Sequence, residues 1–138
     1  MITAVDTNVL LDVFAADPTF GTRSLAAVRA CLAEGPLVAC EVVWAELHAA
    51  FETAEAADRA LEAIPIALDP LRRAAAAGAG AAWREYGRAG GSRERVIADF
   101  LVGAHAVHHA DRLLTRDRGF HRAAFAGLEI VDPSASRD

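Results

Sequence analysis

Four carboxylates stand in this chain where their surroundings make them costly. Asp6 stops the short apolar run Ile2–Val5, and Asp117 follows the apolar run Leu113–Thr115 in the turn Arg116-Asp117-Arg118-Gly119. Glu46 has Val42 and Val43 one helical turn before it and Ala49 and Ala50 one turn after it, so it is expected to point inward. Asp99 repeats the pattern, with Val96, Val102 and Gly103 as its neighbours on a helical stripe. A carboxylate is expensive to bury without a partner. Two of them about 4 Å apart repel by about 4 kcal/mol at an effective dielectric of roughly 20. A gathered set must therefore take up protons or bind cations. Oxygen ligands favour Mg²⁺ or Mn²⁺. Carboxylate-held divalent cations activate water and stabilise the leaving oxygen in phosphodiester hydrolysis. The plainer alternative has Glu46 and Asp99 capped or paired with arginines such as Arg95, while Asp6 and Asp117 cap helices. Spacing alone does not bring positions 6, 46, 99 and 117 together.

The elements that must position these acids alternate along the chain. Apolar runs at Ile2–Val5, Leu37–Cys40, Leu113–Thr115 and Leu128–Val131 read as strands, and Pro65–Leu68 as a short extended piece. Helices are expected from Thr7 or Asn8 as N-cap, over Thr22–Ala33, from Glu41 to about Thr53, over Ala54–Ala63, from an Asp69-Pro70 start to Arg88, over Arg95–Ala110 and over Phe120–Phe125. The Ala/Gly stretch 74–82 suggests close helix packing, because Trp83 and Tyr86 follow at helical spacing. Alternation of this kind implies a small, mostly parallel twisted α/β sheet with helices on both faces. Asp6 and Asp117 would then share its carboxyl edge, where open α/β sheets bind ligands.

With 138 residues the chain is expected to form one domain over 1–133, with a frayed tail at 134–138. No apolar run is long enough to span a bilayer, and the start lacks a secretory pattern, so a cytoplasmic protein is expected. Cys31 and Cys40 read as buried thiols. The net charge of −5 argues against a non-specific nucleic-acid binder. Every basic side chain is nevertheless Arg, clustered at Arg84, Arg88, Arg93 and Arg95 and again at Arg112, Arg116, Arg118 and Arg122. Such rims can hold phosphates on an acidic protein.

These residues also carry a resemblance. Asp6-Thr7-Asn8-Val9-Leu10-Leu11-Asp12 resembles the opening of PIN-domain proteins, and Ala45-Glu46-Leu47 their second acidic motif. Asp99-Phe100-Leu101-Val102-Gly103-Ala104-His105-Ala106 is similar to the third, with Phe100 and Gly103 as departures. Leu113-Leu114-Thr115-Arg116-Asp117-Arg118-Gly119-Phe120 and Gly127–Pro133 resemble the C-terminal end. Length and spacing match VapC-type toxins. The resemblance implies a PIN-like three-layer α/β fold and a Mg²⁺-dependent ribonuclease in which Mn²⁺ substitutes. It implies a homodimer or a hetero-oligomer with a cognate antitoxin that holds it inactive. It maps Asp6, Glu46, Asp99 and Asp117 onto the catalytic, metal-binding quartet. Asn8 and Thr115 would orient those carboxylates, and Arg93, Arg95, Arg116 and Arg118 are candidates for the RNA backbone.

Two other enzyme-site readings and one binding reading remain at this stage. A phosphatase of the haloacid dehalogenase type would use Asp6 as nucleophile, but it wants a second Asp where this chain has Asn8. His105, His108 and His109, at i, i+3 and i+4, could seat zinc on one helix. A non-catalytic module would accept a partner's arginine in the acidic pocket.

Overall fold

The computed structural model describes residues 1–135. Five strands form one sheet: β1 (Thr3–Val5), β2 (Leu37–Ala39), β3 (Ile66–Leu68), β4 (Arg112–Leu114) and β5 (Ile130–Val131). Their order is β3-β2-β1-β4-β5, and every pairing is parallel. The helices are α1 (Thr7–Phe14), α2 (Gly21–Glu34), α3 (Glu41–Ala50), α4 (Ala54–Glu62), α5 (Arg73–Arg88), α6 (Ile97–His109) and α7 (Arg118–Ala124). With right-handed crossovers, the rule for such units, this order puts α1–α4 on one face and α5–α7 on the other. None of the described helices is long and apolar enough to cross a membrane.

Burial explains why runs of three residues suffice as strands. Ala4, Val5, Leu37, Leu113 and Leu114 are almost wholly enclosed, and they meet Val9, Leu10, Val28, Val43 and Leu47 from the flanking helices. Cys31 and Cys40 are free thiols within this core, where burial pushes both thiol pKa values up. A second cluster lies under α5–α7. Phe100 packs edge-on against Tyr86 and Phe120, with Phe125 beside it. Gly103 makes room there, since a Cβ would come 2.2 Å from the Phe125 ring. The Ala-rich α5 does pack closely along α6, with Ala75 and Ala79 fully enclosed.

Several expected boundaries move. Asp6 itself is the N-cap of α1, accepting the Thr7 N–H at 2.7 Å, so neither Thr7 nor Asn8 caps the helix. Asp69-Pro70 does not start α5, which begins at Arg73. The Asp69 carboxylate instead takes two histidines of α6, and its backbone N–H extends the sheet to Ala39 O at 2.8 Å. Pro65–Leu68 contributes a full edge strand in register with β2. At the C-terminus, Asp132 accepts the Ser134 N–H and hydroxyl, so Ser134 and Ala135 form a turn where fraying was expected. The rest of that expected tail, 136–138, lies outside the described residues.

Candidate active site

From β1 the chain winds outward through β2 to β3, and from β4 it winds the opposite way to β5. The reversal falls between β1 and β4, and their carboxyl ends open a crevice there. Asp6 leaves β1 at this point. Its N–H continues the ladder to Leu114 O at 2.9 Å, which fixes its backbone against β4. Its Oδ1 caps α1. Its Oδ2 accepts from the Thr115 hydroxyl at 2.8 Å and from Asn8 Nδ2 at 3.5 Å. Asn8 Oδ1 in turn accepts the Arg116 N–H at 3.1 Å, so Asn8 bridges the two strand ends.

The other acids arrive from helices. Thr7 Oγ1 donates to Glu46 Oε1 at 2.8 Å, tying α3 to the start of α1. Glu46 is exposed on the rim and does not point into the core as its apolar neighbours suggested. Of those neighbours only Val43 is buried, while the small Ala49 and Ala50 lie open to water. Asp99 sits in the first turn of α6, where its Oδ2 accepts the Val96 N–H at 3.1 Å. Asp117 follows the β4 turn; its N–H donates to Thr115 Oγ1 at 3.0 Å.

All four acids line one cleft of about 260 Å³, with Thr7, Asn8 and His121 on its wall. It is not the largest hollow. A cavity of about 600 Å³ lies between α2 and the C-terminal strand, but its acids Glu34 and Asp132 face Arg112 and Arg118. Among the described residues, no three carboxylates of the acidic cleft bring ligand oxygens within 4.8 Å of one another. The carboxylate donors of the cleft are all oxygen. That set fits a hard cation that keeps several of its waters.

The sequence profile of the PIN domain family matches residues 3–126. The chain belongs to the PIN domain family. No curated protein matches it in sequence. Solved structures share its fold at low identity. The VapBC2 complex of Rickettsia felis bound to a promoter DNA fragment contains a chain with TM-score 0.76 and 17% identity, covering 96% of this chain and 98% of that one. The VapBC-1 complex of nontypeable Haemophilus influenzae gives 0.73 and 18%, over 98% and 100%. The FitAcB structure from Neisseria gonorrhoeae gives 0.69 and 23%, over 96% and 98%.

The arginines proposed for a nucleic-acid backbone divide in this PIN domain. Arg116 faces away from the cleft. Its Nε and Nη2 donate to Asp12 at 2.7 and 3.0 Å, and its guanidinium lies 4.1 Å from the Phe20 ring centre. Arg95 binds Asp117, which lines the cleft, through both terminal nitrogens. Arg118 is exposed, 4.0 Å from Asp132, and Arg93 is exposed.

The histidine group is rearranged as well. His105 Nε2 and His109 Nδ1 both lie 2.9 Å from Asp69 Oδ2, and His108 is not part of the set. The Arg72 amide donates to His109 Nε2 at 3.1 Å, so that nitrogen is the acceptor and the ring proton lies on Nδ1. The two imidazoles form a hydrogen-bonded clamp on Asp69, and the ligand atoms of the three groups lie within 4.8 Å of one another.

Sequence reasoning passed over His121 and Asp12. His121 is 2% exposed, with Nε2 at 3.5 Å from Asp6 Oδ2 and with Nδ1 lacking any partner among the described residues. Its spacing of four from Asp117 puts both on one face of α7 and was the available signal. Asp12 is buried by Arg116 and by Ser24 Oγ at 2.8 Å. Nothing local marks it, because its cation lies 104 positions away in sequence.

Proposed function

We propose that this PIN domain is a divalent-metal-dependent endoribonuclease, the toxin of a VapC-type toxin–antitoxin pair. One observation carries the reading: acids from four separate segments line a single cleft at the point where the sheet's winding reverses. Asp6, Glu46 and Asp99 are the proposed ligands of Mg²⁺, with Mn²⁺ able to substitute. When bound, such a cation supplies Lewis-acid polarisation of a phosphoryl oxygen and lowers the pKa of water.

The chain's own residues set the geometry. Thr115 and Asn8 hold Asp6 Oδ2, Thr7 holds Glu46, and the Val96 amide holds Asp99. Each ligand is thus oriented by a donor behind it, the arrangement that tunes carboxylate ligands elsewhere. In-line attack by water on an RNA phosphorus, leaving a 5′-phosphate, is the proposed reaction. The second aspartate that a phosphatase of the haloacid dehalogenase type wants is here Asn8, whose side chain is engaged between Asp6 and the Arg116 N–H, which weighs against that reading. The toxin assignment draws support from the toxin–antitoxin complex of Klebsiella pneumoniae, which contains a chain sharing this fold, and from the VapBC complexes. The proposed partners are RNA, a cognate antitoxin and a second copy of the chain.

The test is cleavage of single-stranded RNA with Mn²⁺. Asp6→Asn and Asp99→Asn are expected to lose at least about a hundredfold in rate, more than removal of an orienting group behind a metal ligand costs. Full activity in either variant would sink the assignment.

A further inference from the structure

The fourth acid of the cleft is not free in the way the other three are. Both oxygens of Asp117 accept from Arg95: Nη2 donates to Oδ1 at 3.0 Å, and Nη1 donates to Oδ2. The guanidinium also lies over the Phe120 ring, with Cζ 4.3 Å from its centre. Phe120 is itself 6% exposed and packed edge-on between Phe100 and Tyr86. A carboxylate fork on one edge and a buried ring beneath hold this arginine on two sides. Arg95 nonetheless keeps 30% of its side chain in solvent. Asp117 takes one N–H from each terminal nitrogen, and the remaining donors have no partner among the described residues.

We propose that Asp117 is a positioning residue for Arg95, and that Arg95 holds an RNA phosphate at the cleft, in place of a fourth cation ligand at Asp117. The chemistry favours this division. A planar guanidinium binds two oxyanions along different edges, a carboxylate on one and a phosphate on another. Asp117 as a cation ligand would weaken both charge-assisted hydrogen bonds and place the incoming cation beside the Arg95 guanidinium. As a support it keeps them. Asp117 is anchored for that work by its own N–H on Thr115 Oγ1, the same hydroxyl that donates to Asp6 Oδ2. The phosphate clamp and the cation ligand are thereby set at a fixed distance through one threonine. The inference rests on the ribonuclease reading only for the identity of the substrate.

Two titrations of the full chain test it. In EDTA, a fluorescein-labelled single-stranded RNA is bound without being cut. Arg95→Ala is expected to weaken binding about tenfold and to reduce the slope of log K against log salt by about 0.7, one phosphate contact on a single strand. Arg95→Lys restores only part of the affinity, because an ammonium cannot be held as a fork. Asp117→Asn weakens RNA in the same direction, and Arg95→Ala combined with Asp117→Asn is no weaker than Arg95→Ala alone. In calorimetry with Mn²⁺ alone, Asp117→Asn stays within about twofold of the parent, while Asp6→Asn loses about tenfold or more. Asp117→Asn matching the Asp6→Asn loss would make Asp117 a ligand and overturn the proposal. So would unchanged RNA affinity in Arg95→Ala or in Asp117→Asn. Arg95→Gln repeats the RNA measurement should the alanine variant not fold. A parent chain that binds both ligands but leaves RNA intact with Mn²⁺ would remove the ribonuclease reading, while the two binding titrations still decide the roles of Arg95 and Asp117.

Discussion

Arg116 and Arg95 share a sequence context and differ in fate because of what lies across from them. Each stands near a strand or helix end, beside other arginines, and each reads equally well as a phosphate holder. Arg116 is consumed by Asp12, whose side chain is 5% exposed, whereas Arg95 pairs with the cleft-lining Asp117 and about a third of each side chain is in water. The sequence marks acids that need a partner but not which partner arrives, since Asp12 and Arg116 are separated by 104 positions. The same gap explains Glu46. Its apolar neighbours are too small to pull it under the surface, so it stays exposed where an inward-pointing carboxylate was expected. A buried carboxylate that loses its arginine keeps its desolvation cost and little else. Arg116→Ala is therefore expected to lower stability by about 3 kcal/mol, the low end for a broken buried pair because water reaches part of it. Replacing Asp12 as well, by Asn, should return part of that loss. Urea midpoints at neutral pH give both values, and a loss under about 1 kcal/mol for Arg116→Ala would show that Asp12 is solvated after all.

At the scale of elements, the helix and strand alternation was legible because it rests on local periodicity. The boundary that failed is instructive. Asp69-Pro70 has the residue types of a helix start, yet the histidines of α6 compete for the Asp69 carboxylate and win. That contact joins the end of β3 to α6 and delays α5 by a turn. Its protonation makes it testable. Burial holds the pKa of His105 below the ordinary imidazole value, against the opposing pull of the Asp69 hydrogen bond. For Asp69, burial pushes the pKa up, but the His105 and His109 hydrogen bonds outweigh it and the net direction is down. The two directions agree on a neutral imidazole donating to a carboxylate. With its folded pKa depressed, His105 binds protons more readily in the unfolded chain. Its contribution to stability is complete above the unfolded value of about 6.5 and is lost as pH falls from there toward the folded value. The Asp69 contribution persists until pH falls below about 3.9. Urea midpoints measured from pH 7.5 down to 5 should therefore decline in the parent and decline less in His105→Gln, which retains a donor but cannot titrate. Parallel curves for the two would remove His105 from the acid response.

For the whole molecule, the parallel sheet followed from alternation, but the strand order did not. Nothing local says that the chain returns from β3 past β2 and β1 to lay β4 beside β1, and this return alone brings Asp6 and Asp117 to one crevice. The site thus depends on the fold as a unit, which ties cation binding to global stability. The unfolded chain scatters positions 6, 46 and 99 and offers a cation little. A ligand bound only by the folded state stabilises it by about 2.7 kcal/mol at a hundred times its dissociation constant. For a chain of this size that corresponds to roughly 8 °C in Tm. Thermal unfolding in Mn²⁺ against EDTA should show this rise in the parent chain. Asp6→Asn should abolish most of it. Arg116→Ala should start from a lower Tm and keep it, because that pair lies behind the cleft. The comparison also separates the acidic cleft from the Asp69–His105–His109 clamp. An Mn²⁺ shift that survives Asp6→Asn but disappears in His105→Gln would place the cation at the clamp, and the reading of the acidic cleft as the metal centre would fall with it.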